Sequence, residues 1–185
     1  MACGNNHVTR AYLASSPVRT PVTVQSFFTA GSVDVKTSRQ ELGERGEALV
    51  AQLLVEAQQH ELVYQHTPGE RPQGVDVVTL DPDGRLVVTE VKSTAAETYK
   101  MPHTTQNVGD HQLDQSWTSK NLTETGLVSA TPDAVGPAAD QVSRQIAQFD
   151  AASGTVSFWD VTDGGQRSGN SPTEVWDVDR GKGSR

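Results

Sequence analysis

GVDVVTLDPDGRLVVTEVKS, residues 74–93, reads as two strands around a turn. Val75–Leu80 and Arg85–Lys92 are short runs rich in Val, Leu and Thr, bounded by Gly, Pro and Asp, the composition of strands. Between them, Asp81-Pro82-Asp83-Gly84 has proline second and glycine fourth, as a type I turn prefers. The expected unit is a β-hairpin. Residues two apart on a strand share a face. Glu90 and Lys92 therefore continue the row begun by Leu86 and Val88, and a charged pair ends an otherwise apolar row. Asp76 lies near the start of the partner strand. The turn brings the chain back, so Asp76 and Glu90 are expected within reach of one ion.

Two carboxylates beside a lysine suit a hard cation. Mg²⁺ takes oxygen ligands and keeps several waters, so one or two carboxylates suffice. The lysine can orient an attacking water and stabilise developing charge. Without a cation the two carboxylates repel, and one tends to stay protonated. A lone Glu-Xaa-Lys on a strand is most often a solvated ion pair of little consequence. Here an upstream aspartate, a well-formed turn and a preceding helix with more glutamates set it apart.

That helix starts at Ser38. Ser38 with Glu41 three residues later forms a capping box, a helix-start signal. Leu42, Gly46, Leu49, Val50, Leu53, Leu54 and Ala57 then recur at helical spacing through about Gln59. Its glutamates are Glu41, Glu44, Glu47 and Glu56. At about 100° per residue, Glu44 falls almost opposite the apolar stripe. Glu47 and Glu56 sit at its two edges, and periodicity leaves both open.

Outside this core the chain divides into an N-terminal extension or linker (1–37), a domain (38–179) and a flexible tail (180–185). The extension holds one acidic residue, Asp34, is interrupted by Pro17 and Pro21, and has room for a short strand around Thr20–Gln25. Residues 93–109 are polar and irregular. A helix is expected from near Gly109-Asp110, carrying Leu113, Trp117 and Leu122, and another over Ala138–Gln148, with Val142, Ile146 and Phe149 on one face. Thr155–Val161 and Thr173–Val178 read as strands, separated by a Gly/Ser-rich loop over Asp163–Pro172. The fold class is α/β, a mixed central β-sheet flanked by helices.

Composition narrows the function. The chain has 185 residues, a mass of 19.8 kDa and a formal net charge of −8. So acidic a chain is no generic polyanion binder and would meet nucleic acid only through a local basic strip. Lys100, Lys120 and Arg85 are the candidates. The single cysteine, Cys3, excludes an internal disulfide framework and a Cys-rich zinc site. No apolar run approaches the roughly 18 residues of a membrane span. The start shows no basic patch followed by an apolar segment, so no cleavable signal peptide is expected. The sequon Asn121-Leu122-Thr123 is discounted for the same reason.

Gly46-Glu47-Ala48 on a helix, Gly74-Val75-Asp76 opening a strand and Glu90-Val91-Lys92-Ser93 closing the next resemble the PD-(D/E)XK nuclease superfamily. The resemblance spans about residues 42–93; Val75 stands where the superfamily's name has proline. It implies a restriction-endonuclease-like core. Asp76 and Glu90 would be metal ligands with the Val91 carbonyl near the ion, Lys92 the catalytic lysine, and Glu47 the helix carboxylate that contacts the metal or its water. The segment from His111 through Gln112 to Trp117 is similar to a helix in nuclease domains of bacterial polymorphic toxins, which implies that Gln112 touches substrate or orients the lysine. The implied function is a Mg²⁺- or Mn²⁺-dependent endonuclease acting on DNA, with a cognate immunity protein as partner if it is an antibacterial toxin. No membrane and no small-molecule cofactor are expected. Its site of action is expected in the cytoplasm, with delivery as a secreted effector lacking a cleavable signal. The alternatives are an RNA (tRNA) nuclease and a nuclease-fold binding or scaffold domain without catalysis.

Overall fold

The structure is a computed structural model that describes residues 19–22, 39–67, 74–96, 100–105, 111–127 and 142–178. In chain order the elements are β1 (Arg19–Val22), α1 (Arg39–Glu56), β2 (Glu61–Gln65), β3 (Val77–Leu80), β4 (Leu86–Thr94), α2 (Gln115–Glu124), β5 (Ser143–Asp150), β6 (Thr155–Asp160) and β7 (Glu174–Val178). Strands β2–β7 form one mixed sheet, which β1 extends at one edge, in the order β1-β7-β6-β5-β4-β3-β2. β4 and β5 run parallel, as do β1 and β7; the other neighbours are antiparallel. Among the described residues no helix is long and apolar enough to cross a membrane.

The hairpin forms as its sequence dictates. Asp81 Oδ1 accepts from the amides of Asp83 and Arg85 at 2.9 and 2.8 Å, and the Gly84 amide donates to the Asp81 carbonyl at 2.8 Å. The aspartate thus closes the turn with its own side chain. β3 then pairs with β4 in the register Val77↔Thr89 through Leu80↔Leu86.

An apolar layer covers each face of the sheet. On one side Leu49, Val50, Leu53 and Leu54 of α1 pack on Val77, Val91, Ala147, Phe149, Val156 and Phe158. On the other, Trp117 and Leu122 of α2 join Val78, Leu86, Val88, Ile146 and Trp159. Each fully buried leucine of α1 contributes about 1.5–3 kcal/mol by leaving water. α1 approaches the sheet most closely at Gly46. A methyl group there would stand 2.0 Å from Ser93 Oγ and 3.3 Å from Ser93 Cβ on β4. Gly46→Ala is therefore expected to push α1 off β4 and destabilise the fold by about 1–3 kcal/mol, read as a lowered melting temperature. Gly46→Leu should lower it further.

Two expectations are corrected. Ala138–Gln148 is not a helix: its described part belongs to β5, a strand inside the sheet, and 138–141 lie outside the described residues. Val142 and Ile146 pack on the α2 side and Phe149 on the α1 side. With both faces buried, the strand shows no polar–apolar alternation, and the spacing of three apolar residues imitated a helix. Within the extension, residues 19–22 form β1 on β7, overlapping the short strand expected around Thr20–Gln25. The helix after the hairpin starts at Gln115, later than Gly109-Asp110. Glu61–Gln65, which had no assignment, is the edge strand β2. Ser38, the expected cap of α1, and the tail 180–185 lie outside the described residues.

Candidate active site

Glu90 and Lys92 lie in the second half of β4, on the face that carries Leu86 and Val88. Glu90 is 4% exposed, and Lys92 Nζ donates to its Oε1 at 2.6 Å. Lys92 is 29% exposed and so reaches solvent from this buried partner. The register Val77↔Thr89 carries Asp76 to the level of Glu90. Val75 and Val77 are two residues apart yet pack on opposite sides of the sheet, Val75 with α2 and Val77 with α1. The chain thus bends at Asp76 just before β3. Asp76 Oδ2 accepts the Val91 amide at 2.7 Å, and its carbonyl accepts the His66 amide at 2.8 Å. The bond between Val91 and Asp76 is thus made by the Val91 N–H.

α1 supplies Glu47. The close approach at Gly46 sets the neighbouring Glu47 near the hairpin, where Asp76 is close enough to act on it electrostatically. Burial, then the charges of Asp76 and Glu44, push Glu47 up to about 7. Glu44 is half-buried and accepts from Gln40 Nε2 at 2.9 Å. It acts on Glu47 because residues three apart on a helix are neighbours, so it does not point wholly away, as its angle had suggested. Glu56 is exposed and accepts from Gln52 at 2.9 Å.

Gln112 comes from the turn ahead of α2, not from the helix itself. Leu113 has φ of 64°, and Asp114 caps α2, with Oδ1 accepting the Trp117 amide at 2.7 Å. Gln112 Oε1 accepts from Lys92 Nζ at 3.2 Å and from the Thr105 amide at 3.1 Å. A loop after β6 backs this turn. At Gly165, with φ of 73°, a Cβ would stand 2.3 Å from the Gln112 carbonyl and 2.4 Å from the Asp114 amide. Arg144 clamps both sides, donating to the Leu113 carbonyl at 3.0 Å and to Asp163 Oδ1 at 3.1 Å. Sequence reasoning missed Arg144, Gly165 and Gln148, and no local signal marks contacts so distant along the chain. Asn121 is buried, with Nδ2 donating to the Trp117 carbonyl at 2.8 Å, which suits packing rather than glycosylation.

The electrostatics are uphill for anions. Burial, and then the Asp76 charge, push Glu90 up to about 8 against the pull of Lys92 and Gln112. Burial likewise raises Asp76, outweighing the Val91 amide and Lys92. No N–H donor reaches the buried Glu90 Oε2; a side-chain hydrogen bond with Glu90 helps Asp76 ionise against its burial. No family model, curated protein or solved structure matches this chain. Its chemistry has to be judged from the site alone. Among the described residues no three His, Cys, Asp or Glu side chains form a ready metal cluster. The donor set at hand is the coupled Asp76–Glu90 carboxyl pair. A pair of carboxylates fits Mg²⁺, which keeps most of its water shell.

Proposed function

We propose that this chain is a metal-dependent phosphodiesterase of the PD-(D/E)XK type, an endonuclease acting on DNA. The observation that carries this is the pair of buried carboxyls, Glu90 with an Oε2 that no N–H donor reaches and Asp76 beside it, with Lys92 bonded to the other Glu90 oxygen. The fold agrees. The order α1, the meander β2–β3–β4, α2, then β5 parallel to β4 accords with a restriction-endonuclease-like core. Asp76 and Glu90 would hold Mg²⁺ or Mn²⁺ with the Val91 carbonyl, and Glu47 would contact the ion's water. When bound, such an ion supplies an activated water and neutralises charge on the phosphoryl group. Lys92, part-exposed, would donate to the water or to a non-bridging phosphoryl oxygen. Gln112 Oε1 accepts from Lys92 and would orient it, and Glu47 would hold a proton of the water. Supercoiled plasmid, labelled duplex and tRNA, each incubated with Mg²⁺, Mn²⁺ or EDTA, test the class. Cleavage of DNA only with the metals is expected; equal cleavage in EDTA would refute it.

The net charge of −8 favours a second reading, a domain that binds through this fold without hydrolysis. Such a domain would leave all three substrates intact in every metal.

The raised carboxylates fix a pH dependence. A carboxyl whose folded pKa lies above its unfolded value binds more protons in the native state. Its stabilisation is complete below about pH 4.5 and is lost as pH rises through the folded value. For Glu47 and Glu90 those values are about 7 and about 8. In EDTA the melting temperature should therefore fall between pH 5 and pH 9. With Mg²⁺ the fall should be reversed above about pH 7, because the ion binds the ionised groups and stabilises only the native state. Identical melting profiles with and without metal at pH 8.5 would contradict a preformed cation site.

A further inference from the structure

Two glutamines, distant in sequence, tie residues 100–105 to the carboxylate–lysine centre. Gln148 of β5 is the register partner of Lys92 in the parallel β4–β5 ladder and shares its face. It is 4% exposed, and its Nε2 donates to the Lys100 carbonyl at 2.6 Å. At the other end, Gln112 Oε1 accepts the Thr105 amide at 3.1 Å, and the Gln112 amide donates to the Thr105 carbonyl at 2.9 Å. The Gln112 oxygen that holds Thr105 is the one that accepts from Lys92. Gln148 also continues a polar row across the sheet, with Lys92 on one side and Ser157, its partner on β6, on the other. A buried glutamine is costly where it is left unbonded; Gln148 Oε1 has no partner, and Nε2 makes its one recorded bond. Here the bond is spent on the backbone of a loop, so the loop is held against the site.

Within that loop Pro102 is buried while Lys100 and His103 are exposed. We propose that residues 100–105 form a strap, pinned by Gln148 and Gln112, that presents Lys100 to the phosphate chain of a nucleic acid lying over Glu90 and Lys92. Pinning matters in so acidic a chain. A lysine on a pinned backbone loses less conformational freedom on binding than one on a free loop, and it provides local positive charge against a net charge of −8. Arg85 cannot share this role. It lies at the turn end of the hairpin, five residues from Glu90, about 16 Å at 3.3 Å per residue. The inference deepens the phosphodiesterase reading and rests on it for the orientation of the ligand.

The experiment separates the two. Binding of a fluorescein-labelled DNA duplex to the full chain is followed by anisotropy in EDTA, across a salt series. Lys100→Ala should weaken binding and flatten the dependence of log K on log salt by about 0.9, one phosphate contact. Arg85→Ala should leave that slope unchanged. Gln148→Met, which keeps the volume and removes the donor, should weaken binding several-fold. It should also speed amide exchange in 100–105 by roughly tenfold, as for loss of one hydrogen bond, with an unchanged circular dichroism spectrum. A wild-type slope in Lys100→Ala, wild-type exchange in Gln148→Met, or no duplex binding by the wild type would each overturn the strap. Binding through Lys100 without cleavage in Mg²⁺ would uphold the strap and refute the hydrolase. Cleavage and binding both unaffected by Lys100→Ala would refute the strap and spare the hydrolase.

Discussion

Glu90→Gln should abolish turnover, a loss on the order of a thousandfold or more, while making the metal-free protein more stable at pH 9. The first half follows from removing a ligand and charge whose cation would supply several kcal/mol of transition-state stabilisation, each 1.36 kcal/mol being tenfold in rate. The second half follows from burial. Glu90 sits pushed up to about 8, so its ionised form is the disfavoured one. Glutamine keeps the shape and removes the charge. The gain in melting temperature should be present at pH 9 and should vanish at pH 6, where the wild-type carboxyl is already protonated. A variant less stable than wild type at both values would mean that Lys92 more than compensates the buried charge.

Lys92→Met should act in the opposite sense on stability. It removes the cation bonded to Glu90, 2.6 Å away, and leaves the buried carboxylate facing Asp76. Breaking one partner of a buried pair costs about 3–5 kcal/mol, and the partial exposure of Lys92 puts the expected loss at or below the lower end. Turnover should fall by about a hundredfold to ten-thousandfold, with kcat and kcat/KM reduced alike, as for an interaction made mainly in the transition state. The double variant Glu90→Gln/Lys92→Met should recover much of the stability lost in Lys92→Met. Simple additivity of the two single changes would show that the pair is not coupled.

The hairpin was legible because every signal in it is local. Asp81 and Gly84 specify the turn, and period two sets Glu90 and Lys92 on one face. The antiparallel return then brings Asp76 to Glu90. α1 was legible from its apolar stripe, but the stripe could not choose between Glu47 and Glu56. That choice depends on where the helix lies against the sheet, which Gly46 and Ser93 set. β5 was misread because a strand buried on both faces has no alternation, and with it Gln148 went unseen. Gln112 was placed on a helix because nothing nearby in sequence announces the left-handed Leu113. The turn is held in place by Gly165 and Arg144, more than thirty residues away in the chain.

The most direct measurement is conversion of supercoiled plasmid to open-circular and linear DNA by wild type and Asp76→Asn, purified side by side and assayed in Mg²⁺ at pH 8. Wild type should convert the plasmid, EDTA should stop it, and Asp76→Asn should leave it supercoiled while retaining a wild-type circular dichroism spectrum. Equal conversion by the two proteins, or none by wild type in Mg²⁺ and Mn²⁺ alike, would contradict the account.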